Sequence, residues 1–144
     1  MKYGAMNFPI KPLPKEIEEI GEMGFDYVEL TMDQPEANPQ KILGQKREIL
    51  GILHHYKIDI MGHLPTFVWT SDLYESLRKA SLQENYEALE AAAELGIEKV
   101  VLHPGFITGL GKFILDKAKR YAMESLEAIL KKAVSLQITL CIEN

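Results

Sequence analysis

The hydrophobic positions of this 144-residue chain alternate between short continuous runs and longer stretches with apolar residues every three or four positions. Short runs bounded by turn residues are typical of buried strands, and the spaced pattern is typical of amphipathic helices. The short runs predict five strands, at residues 2–8, 27–31, 58–61, 100–102 and 138–142. Four segments with helical spacing separate them, so the predicted elements follow the order βαβαβαβαβ.

Residues suited to helix ends support this assignment. Pro14 and the pair Asn38–Pro39 suit the first turns of the first two helices, where proline loses no hydrogen bond and asparagine can act as a cap. Gly24 and Gly96 suit helix ends. The apolar faces of the later helices are supplied by Ile42, Ile49, Leu50 and Leu53, by Leu82, Tyr86, Leu89 and Ala93, and by a series from Leu115 to Leu136.

Alternating strands and helices predict an α/β fold with a parallel sheet. A closed (βα)8 barrel needs eight such units and about 250 residues. The chain is therefore predicted to be a single domain over residues 1–144 that forms a parallel (βα)4β half-barrel, either incomplete or closed by self-association. An open doubly wound sheet satisfies the same local pattern, although no Gly-x-Gly-x-x-Gly loop follows a strand.

Composition and charge narrow the classes of partner. The net charge of −5 and the pI near 5.4 provide no overall attraction to nucleic acid or to an anionic membrane surface. No apolar run reaches the roughly 18 residues of a membrane helix, and the N-terminus lacks a secretory signal. Cys141 is the only cysteine, which is typical of a reducing compartment. We therefore expect a cytoplasmic protein that binds neither membranes nor nucleic acid.

Three potential metal ligands stand at the ends of predicted strands. His63, His103 and Glu143 follow the third, fourth and fifth apolar runs, and the intervals from 63 to 103 and from 103 to 143 are each 40 residues long. In a parallel barrel, groups at the carboxyl ends of successive strands converge on one face. Two imidazoles and a carboxylate there could hold a metal ion with a coordination position open to water or substrate.

Other polar and aromatic residues have different expected roles. Alternation along the second strand allows Glu29 to face the barrel centre. Trp69 lies in the loop after the third strand, where such folds place substrate contacts. We therefore expect both residues to contact a substrate. His54 and His55 are expected on the surface of the second helix, and Cys141 is expected to pack in the core.

Several short segments, taken together, resemble a known family. They are the Gly62–Pro65 turn, the Val101–Gly105 segment, the Ile142–Asn144 ending, the opening Gly4–Asn7 and the segment Gly24–Leu30. Their order and their spacing of one repeat resemble the xylose-isomerase-like TIM-barrel superfamily. That group contains sugar-phosphate isomerases and epimerases and the endonuclease IV type of abasic-site nucleases. The resemblance covers the whole chain, but only the N-terminal half of the family's barrel.

The resemblance implies roles for the matching positions. In the isomerase branch, the glutamate at the position of Glu143 binds a divalent metal, often manganese, and serves in proton transfer. In the nuclease branch, the positions of His63, His103 and Glu143 bind zinc. Glu29 matches a glutamate often found near the end of the second strand. The family's remaining ligands lie on strands six to eight, which implies that this chain holds only part of a metal site.

Three functional hypotheses follow. The first is a sugar or sugar-phosphate isomerase or epimerase that uses manganese, zinc or magnesium and moves a proton through an enediolate-like intermediate, with Glu143 as the catalytic residue. The second is a zinc-dependent abasic-site endonuclease, against which the acidic charge balance counts. The third is a half-barrel without activity of its own, which is either the excised N-terminal half of a longer protein or a chain that pairs with another copy through the two strand edges that an open parallel sheet leaves unpaired.

Overall fold

Five parallel strands form a single sheet in which each strand pairs with the next one along the chain. The computed structural model describes residues 1–143. Asn144, the last residue of the Ile142–Asn144 segment that contributes to the family resemblance, lies outside the described residues. The strands are β1 (Gly4–Met6), β2 (Tyr27–Thr31), β3 (Asp59–His63), β4 (Lys99–Leu102) and β5 (Thr139–Ile142). The predicted (βα)4β order is confirmed.

The strand order distinguishes a barrel from an open doubly wound sheet. In a doubly wound sheet the order reverses at a switch point, and helices therefore cover both faces. Here the sheet runs from β1 to β5 without a reversal. Crossovers of one handedness then carry all the connecting helices to the same face. This arrangement is the first half of a (βα)8 barrel, as the resemblance implied.

Five α-helices lie between the strands. They are α1 (Leu13–Glu22), α2 (Pro39–Gly44), α3 (Lys46–Tyr56), α4 (Glu75–Glu94) and α5 (Leu115–Ser135), and a short 3₁₀ helix spans Gly109–Phe113. The predicted starts are confirmed at Pro14, in the first turn of α1, and at Asn38, whose side chain accepts a hydrogen bond from the Lys41 N–H. Among residues 1–143, no helix is both long and apolar enough to span a membrane.

The second predicted helix is divided into α2 and α3. Gln45 leaves helical geometry, with φ −108° and ψ 6°, so one helix ends and another begins at this residue. The buried stripe of α3 contains Ile49 and Leu53, one helical turn apart, whereas Leu50 is 37% exposed. The expectation that Leu50 belongs to the apolar face was therefore wrong.

Two other boundaries differ from the apolar pattern. The third predicted helix, α4, begins at Glu75, ahead of the apolar face that starts at Leu82. The apolar pattern does not show these first two turns, because they are mostly exposed. The first strand is shorter than residues 2–8. The strand ends at Met6. At the next residue the Asn7 side chain, and not its backbone, bonds to β2, because its Oδ1 accepts the Thr31 N–H at 2.8 Å.

The two faces of the sheet have different surroundings. The face toward the helices packs in the hydrophobic core, where Val28, Leu30 and Val100 are fully buried. The opposite face is less covered, and Glu29, Met61 and Cys141 on it are half-buried. In a closed barrel this second face forms the interior. The carboxyl ends of the strands on that face are where the candidate site lies.

Candidate metal centre

Three side chains that were predicted as metal ligands meet at the carboxyl ends of neighbouring strands. His63, His103 and Glu143 each contribute one ligand atom to a group in which all the atoms lie within 4.8 Å of one another. The Nε2 atoms of His63 and His103 lie 3.8 Å and 3.7 Å from Glu143 Oε2. The two imidazole centroids are 4.9 Å apart. The fold therefore brings together residues from three separate βα repeats.

Strand register explains why the three side chains share a face. His63 is the last residue of β3 and lies opposite Val101 of β4, which lies opposite Cys141 of β5. Side chains alternate along a strand, so positions two residues apart point to the same side. His103 follows Val101 by two positions. Glu143 follows Cys141 by two positions, and all three candidate ligands consequently lie on the interior face.

His63 is buried, and one of its ring nitrogens already has a partner. Its Nδ1 lies 2.8 Å from the Leu64 carbonyl oxygen. Because a carbonyl oxygen can only accept, we assign the proton to Nδ1, which leaves a free lone pair on Nε2 in the neutral ring. Nε2 is the atom that faces Glu143. An imidazole N–H held by a backbone carbonyl is typical of metal-binding histidines.

The three side chains range from buried to open. Their exposed fractions are 2% for His63, 29% for His103 and 57% for Glu143. The backbone of Glu143 is nevertheless held, because its N–H donates to the Leu102 carbonyl at 3.1 Å and extends the ladder beyond β5. The site therefore has a closed side at His63 and an open side at Glu143, from which a small molecule can approach.

The interatomic distances suit an ion between the side chains better than direct hydrogen bonds. The 3.7 Å and 3.8 Å separations between imidazole nitrogen and carboxylate oxygen exceed hydrogen-bond length. Ligand bonds of about 2.0–2.2 Å around a tetrahedral ion place the ligand atoms about 3.4 Å apart, which small side-chain adjustments would reach. Two imidazoles suit zinc, and the carboxylate also suits manganese or magnesium. The donor set thus fits a divalent ion.

Glu29 lies on the same face but deeper in the sheet. It pairs in register with Met61, two residues before His63, which places it about 7 Å nearer the amino ends of the strands. The converging group does not include it, and within residues 1–143 it forms no ion pair. Glu29 therefore lies below the three candidate ligands and not among them.

Trp69 lies in the loop after β3 and packs against the loop after β4. Its ring meets Phe106 edge-on, with centroids 5.6 Å apart. Ser71 Oγ donates to the Phe106 carbonyl at 2.8 Å, and Ser125 Oγ of α5 donates to the Thr70 carbonyl at 2.7 Å. The two loops enclose a pocket of about 360 Å³. These loops follow β3 and β4, the strands that lead to His63 and His103, but none of the three candidate ligands lines the pocket.

Polar residues that the sequence reading did not single out also lie at these strand ends. Asn7 and Asp33 are buried just beyond β1 and β2, and both hydrogen-bond to Thr31. Asp33 also accepts two hydrogen bonds from Thr66 in the loop after β3. A polar residue two positions after an apolar run was the signal that identified His63, and the same signal would have identified Asp33. Asn7 lay inside the first predicted strand, so this signal could not have identified it.

The remaining histidines and the cysteine lie outside the converging group. His54 and His55 are exposed on α3, as expected for surface residues. Cys141 was expected to pack in the core, but it is half-buried on the interior face and is absent from the hydrophobic core cluster. Its alternation with Leu140, which packs against that core, accounts for the difference.

Comparisons with known proteins point to one family. Residues 17–144 match the family model described as xylose isomerase-like TIM barrel. An uncharacterized protein of Methanocaldococcus jannaschii is 26% identical over 148 residues. A solved D-tagatose 3-epimerase-like protein superposes with a TM-score of 0.87 at 26% identity. The fold is also shared with 3-keto-D-glucoside 4-epimerase from E. coli, at a TM-score of 0.74 and 21% identity.

The chain spans about half the length of these proteins. The match to the archaeal protein covers 100% of this chain and 49% of that protein. The match to the D-tagatose 3-epimerase-like protein covers 100% of this chain and 53% of the other, and the match to the E. coli epimerase covers 99% and 55%. The matched part of each relative is thus a half-barrel of the same size.

Proposed function

The chain belongs to the xylose isomerase-like TIM-barrel family, and from that premise we propose that it carries the amino-terminal half of the active site of a divalent-metal-dependent sugar or sugar-phosphate isomerase or epimerase. The observation that carries this proposal is the convergence of His63, His103 and Glu143 within 4.8 Å at the carboxyl ends of β3 to β5. Sugar epimerases among the structural neighbours support the substrate class.

The ion would be held by Nε2 of His63, Nε2 of His103 and a carboxylate oxygen of Glu143. A divalent ion supplies Lewis acidity, which polarises a sugar carbonyl and makes the neighbouring C–H bond more acidic. His63 contributes a fixed position, because its Nδ1–H is already bound to the Leu64 carbonyl. His103 is partly exposed and closes the site toward the loop after β4.

Glu143 is the proposed group for proton transfer. Its carboxylate is 57% exposed on the interior face, so a bound sugar can reach it. A carboxylate in this position can accept a proton from the carbon next to a carbonyl and return it to the neighbouring carbon on the same face, as an isomerisation requires. In an epimerisation the proton is delivered to the opposite face, so a second acid on the remaining half of the barrel would be needed. The additional ligands needed for a complete site would come from the remaining half of the barrel.

Trp69 and Glu29 are the proposed substrate contacts. With Phe106, Trp69 forms a wall of the pocket between the loops that follow β3 and β4. The apolar face of a sugar ring can pack on such a wall. Glu29 lies deeper on the interior face and can accept hydrogen bonds from sugar hydroxyls.

Metal titration of the protein tests the proposed ligands. We expect calorimetry with zinc or manganese to detect one site per chain. His63→Ala and Glu143→Gln should weaken it by more than about 100-fold, beyond the effect of removing a group that only supports a ligand. His54→Ala is the matched control, because that histidine is exposed on α3. Equal affinity in all four proteins would exclude this metal centre.

Proton exchange tests the reaction itself. In a protein that carries the complete barrel, a ketose panel in deuterated water should acquire deuterium next to the carbonyl, and Glu143→Gln should abolish this exchange. Metal loading without exchange on any sugar would contradict the isomerase proposal. Zinc-dependent nicking of an abasic duplex in the same preparation would instead support the endonuclease hypothesis.

A further inference from the structure

Asp33 is a buried carboxylate just beyond β2, and three donors surround it. Its Oδ2 accepts the hydroxyls of Thr31 at 2.7 Å and Thr66 at 3.0 Å, and its Oδ1 accepts the Thr66 backbone N–H at 3.0 Å. Burying a carboxylate is costly unless donors compensate it. Asp33 is 9% exposed, and both of its oxygens are engaged in holding protein groups. This arrangement suits a group that supports neighbouring segments.

The segment that Asp33 holds is the one that orients His63. Directly after His63, the Leu64 N–H donates to the Val101 carbonyl at 2.9 Å, and the Leu64 carbonyl receives the His63 Nδ1–H. Pro65 has no N–H to donate. The next backbone donor is that of Thr66, and Asp33 accepts it. The turn that carries the Leu64 carbonyl is therefore fixed by β4 on one side and by Asp33 on the other.

The same network ties β1 and β2 to this turn. Thr31 lies opposite His63 in the sheet register, and its N–H is bound by the Asn7 side chain. The backbone N–H of Met32 donates to the His63 carbonyl at 3.0 Å. Asp33 thus links the end of β2 to the turn after His63, and Asn7 links β1 to the same residue of β2. The Asp33 carboxylate itself is absent from the converging ligand group.

We propose that Asp33 is a positioning residue that acts through Thr66 and the Leu64 carbonyl to hold His63 in the Nδ1–H form, with the Nε2 lone pair directed at the candidate metal centre. The metal-binding part of this inference rests on the proposed function. The effect on the imidazole does not, because the hydrogen bonds that carry it are all within the protein.

Nitrogen-15 NMR of the four histidine side chains tests the proposal in metal-free protein, with His63→Asn used to assign the His63 signals. In the wild type, His63 should show a protonated Nδ1 and an unprotonated Nε2. In Asp33→Ala the His63 signals should shift toward an average of the two tautomers. Asp33→Asn should restore much of the wild-type pattern, because its amide oxygen can still accept the Thr66 N–H.

Two further variants make the test specific. Asp26→Ala removes a carboxylate that accepts a backbone N–H from Tyr3 at 2.7 Å, at the opposite end of the sheet. It should leave the His63 signals unchanged even where it lowers stability. Thr66→Val keeps the backbone donor and loses the hydroxyl, so its shift should be smaller than that of Asp33→Ala. This variant keeps the proposal testable if Asp33→Ala does not fold.

Zinc affinity separates this inference from the metal proposal. If both hold, folded Asp33 variants should bind zinc about 10–100-fold more weakly, the usual effect of losing a group that orients a ligand. A shift of the His63 signals without zinc binding in any protein would support Asp33 and refute the metal centre. Unchanged His63 signals in folded Asp33→Ala and Thr66→Val would overturn the positioning role.

Discussion

Glu16 lies beneath the loop after β1, with only 10% of its side chain exposed. Burial by itself would raise the pKa of this carboxyl. The ion pair with Lys11, whose Nζ lies 2.8 Å from Oε1, the hydrogen bond from the Phe8 backbone N–H and the charge of Lys15 outweigh burial and hold the pKa of Glu16 below its ordinary value. Glu16 therefore stabilises the loop as an anion.

The lowered pKa predicts the direction of an acid effect on stability. A carboxyl whose folded pKa lies below its unfolded pKa stabilises the fold above the unfolded value of 4.5, and this contribution is lost as the pH falls through the folded pKa. At neutral pH, Glu16→Gln should lower the free energy of unfolding by about 1–2 kcal/mol. Urea unfolding should show the difference from wild type shrinking below pH 4.5, and a difference that grows in acid would contradict the assignment.

At the scale of elements, α1 and α3 pack together where a glycine gives room to an aromatic ring. A Cβ atom added at Gly21 of α1 would lie 2.5 Å from Tyr56 Cγ of α3. Gly51, also within α3, has nothing within 4 Å of the corresponding position. One glycine thus permits close approach of two helices, whereas the other has no packing reason to be glycine.

These two glycines predict opposite responses to the same substitution. Gly51→Ala should raise the free energy of unfolding by about 0.5–1 kcal/mol, because alanine loses less chain entropy in a helix. Gly21→Ala should lower it by about 1–3 kcal/mol, because the added methyl group overpacks the contact with Tyr56. Chemical denaturation of the two variants side by side checks this. Equal stabilisation by both would show that α1 and α3 do not pack this closely.

At the scale of the whole molecule, the interior face of the sheet is only partly covered. Met6 at one edge is 51% exposed, and Cys141 on the strand at the other edge is half-buried. In a complete barrel, side chains on the interior face form layers that fill the centre. The chain spans about half of its relatives' length, so we expect this face to be where further barrel strands or a second copy pack.

The reactivity of the single cysteine can be used to measure the exposure of this face. Cys141 is half-buried on the interior side of β5, so we expect its thiol to react with an aqueous thiol reagent in the native protein. If copies associate through the open face, the reaction should slow as protein concentration rises, and light scattering should detect dimers over the same range. An inert thiol in a protein that stays monomeric would contradict the exposure of this face.

Much of the fold followed from local signals. Val100 to Leu102 is a short apolar run and Tyr27 to Thr31 an alternating one, and both have the length and β-branched content typical of strands. The Asn38 cap was predicted together with its neighbour Pro39. The break at Gln45 was not predicted, although Gly44 directly before it is a local signal for a helix end. The apolar spacing from Ile42 to Leu53 continues across the break and favoured one continuous helix.

The sequence by itself determined the order of strands and helices and the placement of His63, His103 and Glu143 at strand ends, because apolar periodicity, caps and turns act over a few residues. Only the tertiary structure decided that the strands pair in sequential order, that their register brings the three ligand atoms within 4.8 Å, and that Asp33 holds the turn beside His63. Those features depend on contacts between segments far apart in the chain, and no local pattern records which partner a strand or a carboxylate will meet.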